Sequence, residues 1–149
     1  MHPWEEGRKF VLGGVVIPHT QGLKGHSDGD VLTHALMDAL LGALGMGDIG
    51  EYFPPSEEKF RDISSLLLLK EVKEKVQNRG AEIVNIDAVV ILEEPRIAPF
   101  REKIRERLSS ILGIDRECIN IKATTSETLG FVGRKEGVVS LVSVLLRLP

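Results

Sequence analysis

The amino-acid sequence predicts an α+β fold, a mixed β-sheet covered by helices, and three observations point there. β-rich runs flank Gly13-Gly14. Three stretches carry apolar residues at helical spacing and stop at glycines. Three further apolar runs, at 82–92, 119–123 and 138–148, have the length of buried strands. The 149 residues fit one domain, 1–149, with no repeat, linker or low-complexity tract. A 42% hydrophobic content supports a core, and 5% aromatics make that core mostly aliphatic.

Residues 10–17, FVLGGVVI, read as a hairpin closed by Pro18. From Asp30, a candidate N-cap, Val31, Leu32, Ala35, Leu36, Ala39 and Leu40 recur at helical spacing until Gly45. Residues 45–62 form the longest loop, with glycines and prolines, and loops of this length are often functional. A second helix is expected from about Ile63 to Arg79, with Gly80 as its stop. Its LLLLK run puts leucine on several faces and predicts cover on more than one side. A strand follows at 82–92, then a loop bounded by Pro95 and Pro99. Residues 99–112 predict an amphipathic helix whose charges form a solvated face. INIKA (119–123) is a strand, TTSETLGFVGRKEG a connector, and VVSLVSVLLRL a last strand expected to be buried on both faces.

A net charge of -3 argues against a nucleic-acid binder. One cysteine, Cys118, excludes an intramolecular disulfide and suits a reducing compartment. Neither a signal-peptide core nor a transmembrane run is evident, so a soluble, cytoplasmic protein is expected.

Chemistry concentrates in GHSDGDVLTHAL, residues 25–36. His34 lies four residues from both Asp30 and Asp38, whose carboxylates are expected on its face. It reads either as a metal ligand steadied by a carboxylate or as a helix histidine bonded to a neighbour. His26 precedes a helix N-terminus, where it would hold phosphate or lie exposed in a loop. Asp28-Gly29 is explained equally well as a turn. In KATTSETLGF, hydroxyls at a strand end would cradle phosphate and Glu127 a hard cation; a capping box is the competing reading. Arg134 would pair bidentately with phosphate or stand solvated.

Four blocks occur in one order: HSDGDV with HAL two residues on, GMGDIG with EYFP, EEPRIAPF, and IKATTSETLGFVGR. In these the chain resembles the 2-C-methyl-D-erythritol 2,4-cyclodiphosphate synthase family along essentially its whole length. The resemblance implies a chorismate-mutase-like fold and a homotrimer with active sites between subunits. It implies a zinc ion and a second divalent ion, Mg²⁺ or Mn²⁺, at the diphosphate. It further implies a cytidine diphosphate substrate that cyclises with loss of CMP, and no nucleic-acid or membrane partner.

By position, the resemblance makes His2 and His34 zinc ligands, with His2 also facing substrate. His26 would stabilise the reacting phosphate and Ser27 would bind substrate. Asp48, Ile49 and Gly50 would line the site, Asp48 at the ribose, and Phe53 would lie near the methylerythritol. Leu92, Glu93, Glu94, Pro95, Arg96, Ile97 and Ala98 would wrap the cytosine. Thr124, Thr125, Ser126 and Glu127 would meet the diphosphate, with Thr125 assisting catalysis and Glu127 at the second metal. Phe131 and Arg134 complete the set.

The family pattern also carries an aspartate two residues before the first histidine, a position ahead of Met1. A start assigned too far downstream, a truncation and true loss of this third zinc ligand all remain open. With two histidines alone and His2 at a frayed end, weak zinc binding and low turnover are expected. A metal- and nucleotide-binding trimer with impaired turnover is therefore the alternative. Pro55 and Glu57 depart from the family's Asp-containing segment, and the last strand lacks the acidic residue that some members carry.

Overall fold

The computed structural model describes residues 1–149. Glycines shape the first hairpin. Strands β2 (Phe10–Leu12) and β3 (Val15–Ile17) pair antiparallel across Gly13-Gly14, both at positive φ. The other strands form a five-stranded mixed sheet. Its members are β1 (His2–Glu6), β4 (Gln21–Leu23), β5 (Glu82–Ile91), β6 (Ile119–Thr124) and β7 (Gly137–Arg147), in the order β4-β1-β7-β5-β6. Only β5 and β6 run parallel.

Helix α1 (Val31–Ala43) packs on β7, and α3 (Ser65–Asn78) packs on α1 and on α4 (Arg101–Leu112). Asp30 caps α1 by accepting from the Thr33 N–H. Leu32, Leu36 and Leu40 of α1 bury with Leu69 and Val72 of α3 against Ile86, Ala88 and Val90 of β5. Gly113, at φ 70°, ends α4 in the left-handed region as the sequence suggests. No helix is long and apolar enough to cross a membrane.

Four expectations need correction. The first residues do not fray: His2–Glu6 is a strand between β4 and β7, with His2 opposite Val138. The 45–62 loop contains a helical turn, α2 (Ile49–Tyr52), and a 3-10 turn at Glu58–Phe60. The 125–136 connector holds another short helix, α5 (Gly130–Gly133). The last strand is not buried on both faces. Strand alternation turns Val138, Val142 and Val144 toward the helices, whereas Leu141 and Leu145 are 60% and 58% exposed on the opposite face. The LLLLK run behaves similarly: Leu66, Leu68 and Leu69 are buried and Leu67 faces outward.

Candidate active site

The site begins with a strand and a helix brought side by side. β1 carries His2 and the first turns of α1 carry His34, so that His2 Nε2 lies 2.9 Å from His34 Nδ1. Burial pushes the His2 imidazole down from 6.5 to about 4, helped by His34, the N-terminal ammonium and Arg8 and opposed by Asp28. Burial lowers His34 as well, against the pull of Asp30, Asp28 and Asp38. Both rings are therefore neutral near pH 7. Two converging neutral imidazole nitrogens fit the donor chemistry of zinc. No group of three His, Cys, Asp or Glu side chains forms here or elsewhere.

The lowered values carry a stability consequence. Below about pH 6.5 the unfolded histidines take up protons before the folded ones do. Stability contributed by these rings is thus present above that pH and lost as pH falls toward about 4. Metal-free protein is expected to melt lower at about pH 5 than at about pH 7.5, a window in which most carboxylates stay ionised. An unchanged melting midpoint would count against neutral buried rings.

The far side of His34 is not where helical spacing suggested. Asp30 turns away to the hairpin, accepting from Gly13 and Gly14 N–H groups, and Asp38 accepts from the Ile49 N–H at 2.9 Å. His34 Nε2 instead meets Ser65 Oγ at 2.8 Å and Ser27 Oγ at 2.9 Å. Ser65 donates its hydroxyl to Asp28, whose other oxygen accepts from the Ser65 N–H. Asp28 thus caps α3 from another segment, a role beyond the turn read in the sequence.

The loop bearing His26 and Ser27 is held on both sides. Asp62 N–H donates to His26 O, and Asp28 N–H donates to Ile63 O. Arg8 donates to the carbonyls of Gly25 at 3.0 Å and Ser27 at 2.7 Å. Arg8 and Ser65 were missed by sequence reasoning. Nothing local to either marks it, apart from the position of Ser65 at a helix start.

A cavity of about 250 Å³ collects His2, His26, Ser27, His34, Ile49, Gly50 and Phe53, walled also by Pro55, Phe60 and Leu68. His26 is half-buried, with Nε2 3.3 Å from Glu57 O. Asp48 borders this region as the cap of α2, accepting from the Glu51 N–H.

A second hollow, of about 410 Å³, is lined by Leu92, Glu93, Pro95, Arg96, Ile97, Ala98, Thr124 and Thr125. The parallel β5–β6 pair places these loops together, at the C-terminal ends of both strands. Glu93 Oε1 accepts from Ser126 N–H and Oγ, and these bonds hold its carboxyl below the usual range. Glu94 pairs with Lys135 at 3.1 Å. Glu127, exposed at φ 53°, accepts from the Thr125 hydroxyl at 2.8 Å; its carboxylate offers hard oxygen donors. The capping-box reading is not realised, since α5 has no side-chain cap. Arg134 is bound bidentately by Glu136, at 2.8 and 3.1 Å. Phe131 lies with Met1, His2 and Pro3 around a third hollow. Within one chain the histidine cavity and the Thr125 hollow are separate.

The YgbB family model matches residues 1–147. The 2-C-methyl-D-erythritol 2,4-cyclodiphosphate synthase of Syntrophomonas wolfei is 51% identical over 146 residues, covering 98% of this chain and 93% of that protein. Among solved structures, the bifunctional IspDF of Campylobacter jejuni superposes with a TM-score of 0.95 at 47% identity; the match covers 99% of this chain and 40% of that one. A CDP-bound 2C-methyl-D-erythritol-2,4-cyclodiphosphate synthase gives a TM-score of 0.89 at 37% identity, over 98% of this chain and 95% of that one.

Proposed function

The chain belongs to the YgbB family, and on that premise we propose that it is a 2-C-methyl-D-erythritol 2,4-cyclodiphosphate synthase of the non-mevalonate route to isoprenoid precursors. It acts as a phosphorus–oxygen lyase on 4-diphosphocytidyl-2-C-methyl-D-erythritol 2-phosphate. An oxygen of the 2-phosphate attacks the β-phosphorus. The bond from that phosphorus to the bridging oxygen breaks, the ring closes, and CMP leaves with the bridging oxygen. No protein nucleophile is required, so the work is positioning and charge neutralisation.

The observation that carries this reading is the single cavity that joins His26 and Ser27 to His2, His34 and the Ile49-Gly50 turn. His26 faces the reacting phosphate and Ser27 the substrate beside it. Asp48 meets the ribose and Phe53 the methylerythritol. Leu92 to Ala98 surround the cytosine. Thr124 to Ser126 receive the diphosphate with donors, Thr125 at the transferring phosphoryl group, and Phe131 and Arg134 close the site. Zinc at His2 and His34, with Mg²⁺ or Mn²⁺ at Glu127, supplies positive charge to the phosphoryl oxygens when bound.

The active form is a cytoplasmic homotrimer of one-domain subunits. Two features support this assembly. Leu141 and Leu145 leave an apolar strip uncovered on the outer sheet face. The two halves of the site also lie in separate hollows of one chain, as expected if each active site is completed by a neighbour.

The test is CMP release from the diphosphocytidyl substrate with added Zn²⁺ and Mg²⁺, followed chromatographically. CMP and the cyclic diphosphate should appear in equal amounts. Zinc-loaded protein that binds substrate and releases no CMP would overturn the reading. It would favour a metal- and nucleotide-binding trimer without turnover, a possibility raised by the lack of a third ligand beside the histidine pair.

A further inference from the structure

We propose that Asp28 and Ser65 are positioning residues that hold His34 as its Nε2–H tautomer and so present a bare Nδ1 to the metal position. The inference rests on the zinc reading above and deepens it. It follows from counting protons in the chain Asp28–Ser65–His34–His2.

Ser65 has one hydroxyl proton. Asp28 Oδ1 lies 2.5 Å from Ser65 Oγ and Oδ2 accepts from the Ser65 N–H at 2.8 Å, so the carboxylate fixes Ser65 through two bonds. The hydroxyl proton therefore goes to Asp28, a charged acceptor that outcompetes a neutral ring nitrogen. Toward His34, 2.8 Å away, Ser65 Oγ has only lone pairs left. A lone pair facing a lone pair at that distance would be repulsive, so His34 Nε2 carries the hydrogen. Ser27 Oγ, 2.9 Å from the same nitrogen and 3.5 Å from Ser65 Oγ, is free to accept a share of it. With Nε2 protonated on a neutral ring, Nδ1 is bare, and it is Nδ1 that faces His2 Nε2 at 2.9 Å.

The same contacts fix the ring plane, because Ser65 opens α3 and Ser27 belongs to the loop tied down by Arg8. His34 is thereby gripped by two elements other than its own helix. Neither carboxylate at helical spacing bonds to the ring: Asp30 accepts from Gly13, Gly14 and Thr33, and Asp38 accepts from the Ile49 N–H. A metal-bound histidine usually donates its other ring N–H to a carboxylate, carbonyl or water, which sets its orientation and tautomer; in this chain the carboxylate acts through a second group. Here the second group is a serine.

The test has two readouts other than turnover. Histidine-selective ¹⁵N labelling of the metal-free wild-type chain reports the tautomer directly. His34 protonated on Nε2 is expected, and His34 protonated on Nδ1 overturns the proposal. Zinc competition against a chromophoric chelator then compares variants. Ser65→Ala and Asp28→Asn should each weaken zinc by about 10–100-fold, and Ser65→Thr should restore most of the affinity. CDP binding should stay at the wild-type level. Folded Ser65→Ala with wild-type zinc affinity also overturns the proposal. If the variants fail to fold, the wild-type tautomer decides. Failure of the synthase reading looks different: the Nε2–H tautomer is present in wild-type protein that binds no zinc and releases no CMP.

Discussion

His34→Ala is expected to abolish tight zinc binding and to lower CMP release by about 10³-fold, the upper range for loss of one preorganised electrostatic group. The size follows from the role proposed for the ring. Its Nδ1 and His2 Nε2, 2.9 Å apart, are the two nitrogens that converge at the proposed metal position. His2 alone would leave a metal bound by a single side chain, too weakly to persist at micromolar zinc. His26→Ala is the informative comparison, because that residue lines the same cavity while its Nε2 points to Glu57 O and not to the pair. It should lower kcat by about 10²-fold, as for loss of a positioned acid-base or phosphate-binding group, with zinc content unchanged. Metal analysis of both variants beside the CMP assay separates the two roles. If His34→Ala retained zinc and His26→Ala lost it, the assignment of ligand and substrate histidines would have to be exchanged.

The residues alone offered metal for His34 and phosphate for His26 beside plainer readings, and only the resemblance chose between them; the reason is geometric. Local signals were enough for the hairpin, where Gly13-Gly14 meet a turn requirement, and for α1 and α4, whose apolar spacing is helical. They failed for His2–Glu6. HPWEE has no alternation of strand type, and its conformation is imposed by pairing with β4 and β7. They failed again for the carboxylate behind His34. Spacing on one helix nominates Asp30 and Asp38, whereas the contact runs through Ser65, 31 residues away on α3. The final strand misled for a third reason. Its near-continuous apolar run reads as two buried faces, yet one face has no cover within the chain. Burial by a second copy leaves the same mark on a sequence as burial within the fold.

Asp30→Ala should damage folding as much as emptying a core position, costing about 3–5 kcal/mol. Asp30 is fully buried and each of its oxygens accepts twice. Oδ1 takes the N–H groups of Gly13 and Thr33 at 2.9 and 3.0 Å, and Oδ2 takes Gly14 N–H and the Thr33 hydroxyl at 2.7 and 2.8 Å. Burial pushes its carboxyl up, and the bonds from Thr33 and Gly14 oppose that by favouring the ionised form. One side chain thus caps α1 and pins the tip of the β2–β3 hairpin to it. Alanine leaves buried donors without partners, at about 1–3 kcal/mol for each unsatisfied group. Asn should cost less, because its amide oxygen keeps one pair of donors while its NH₂ opposes the other. Urea unfolding monitored by circular dichroism measures both variants. A loss in Asp30→Ala below about 1 kcal/mol, the scale of a simple cap, would mean that water replaces the carboxylate and that the clamp is not what holds the hairpin. The consequence reaches the site, since His34 lies one turn beyond Asp30. Loosening that first turn should weaken zinc in any Asp30 variant that still folds, because the Asp30 carbonyl accepts from the His34 N–H even though its carboxylate bonds to neither histidine.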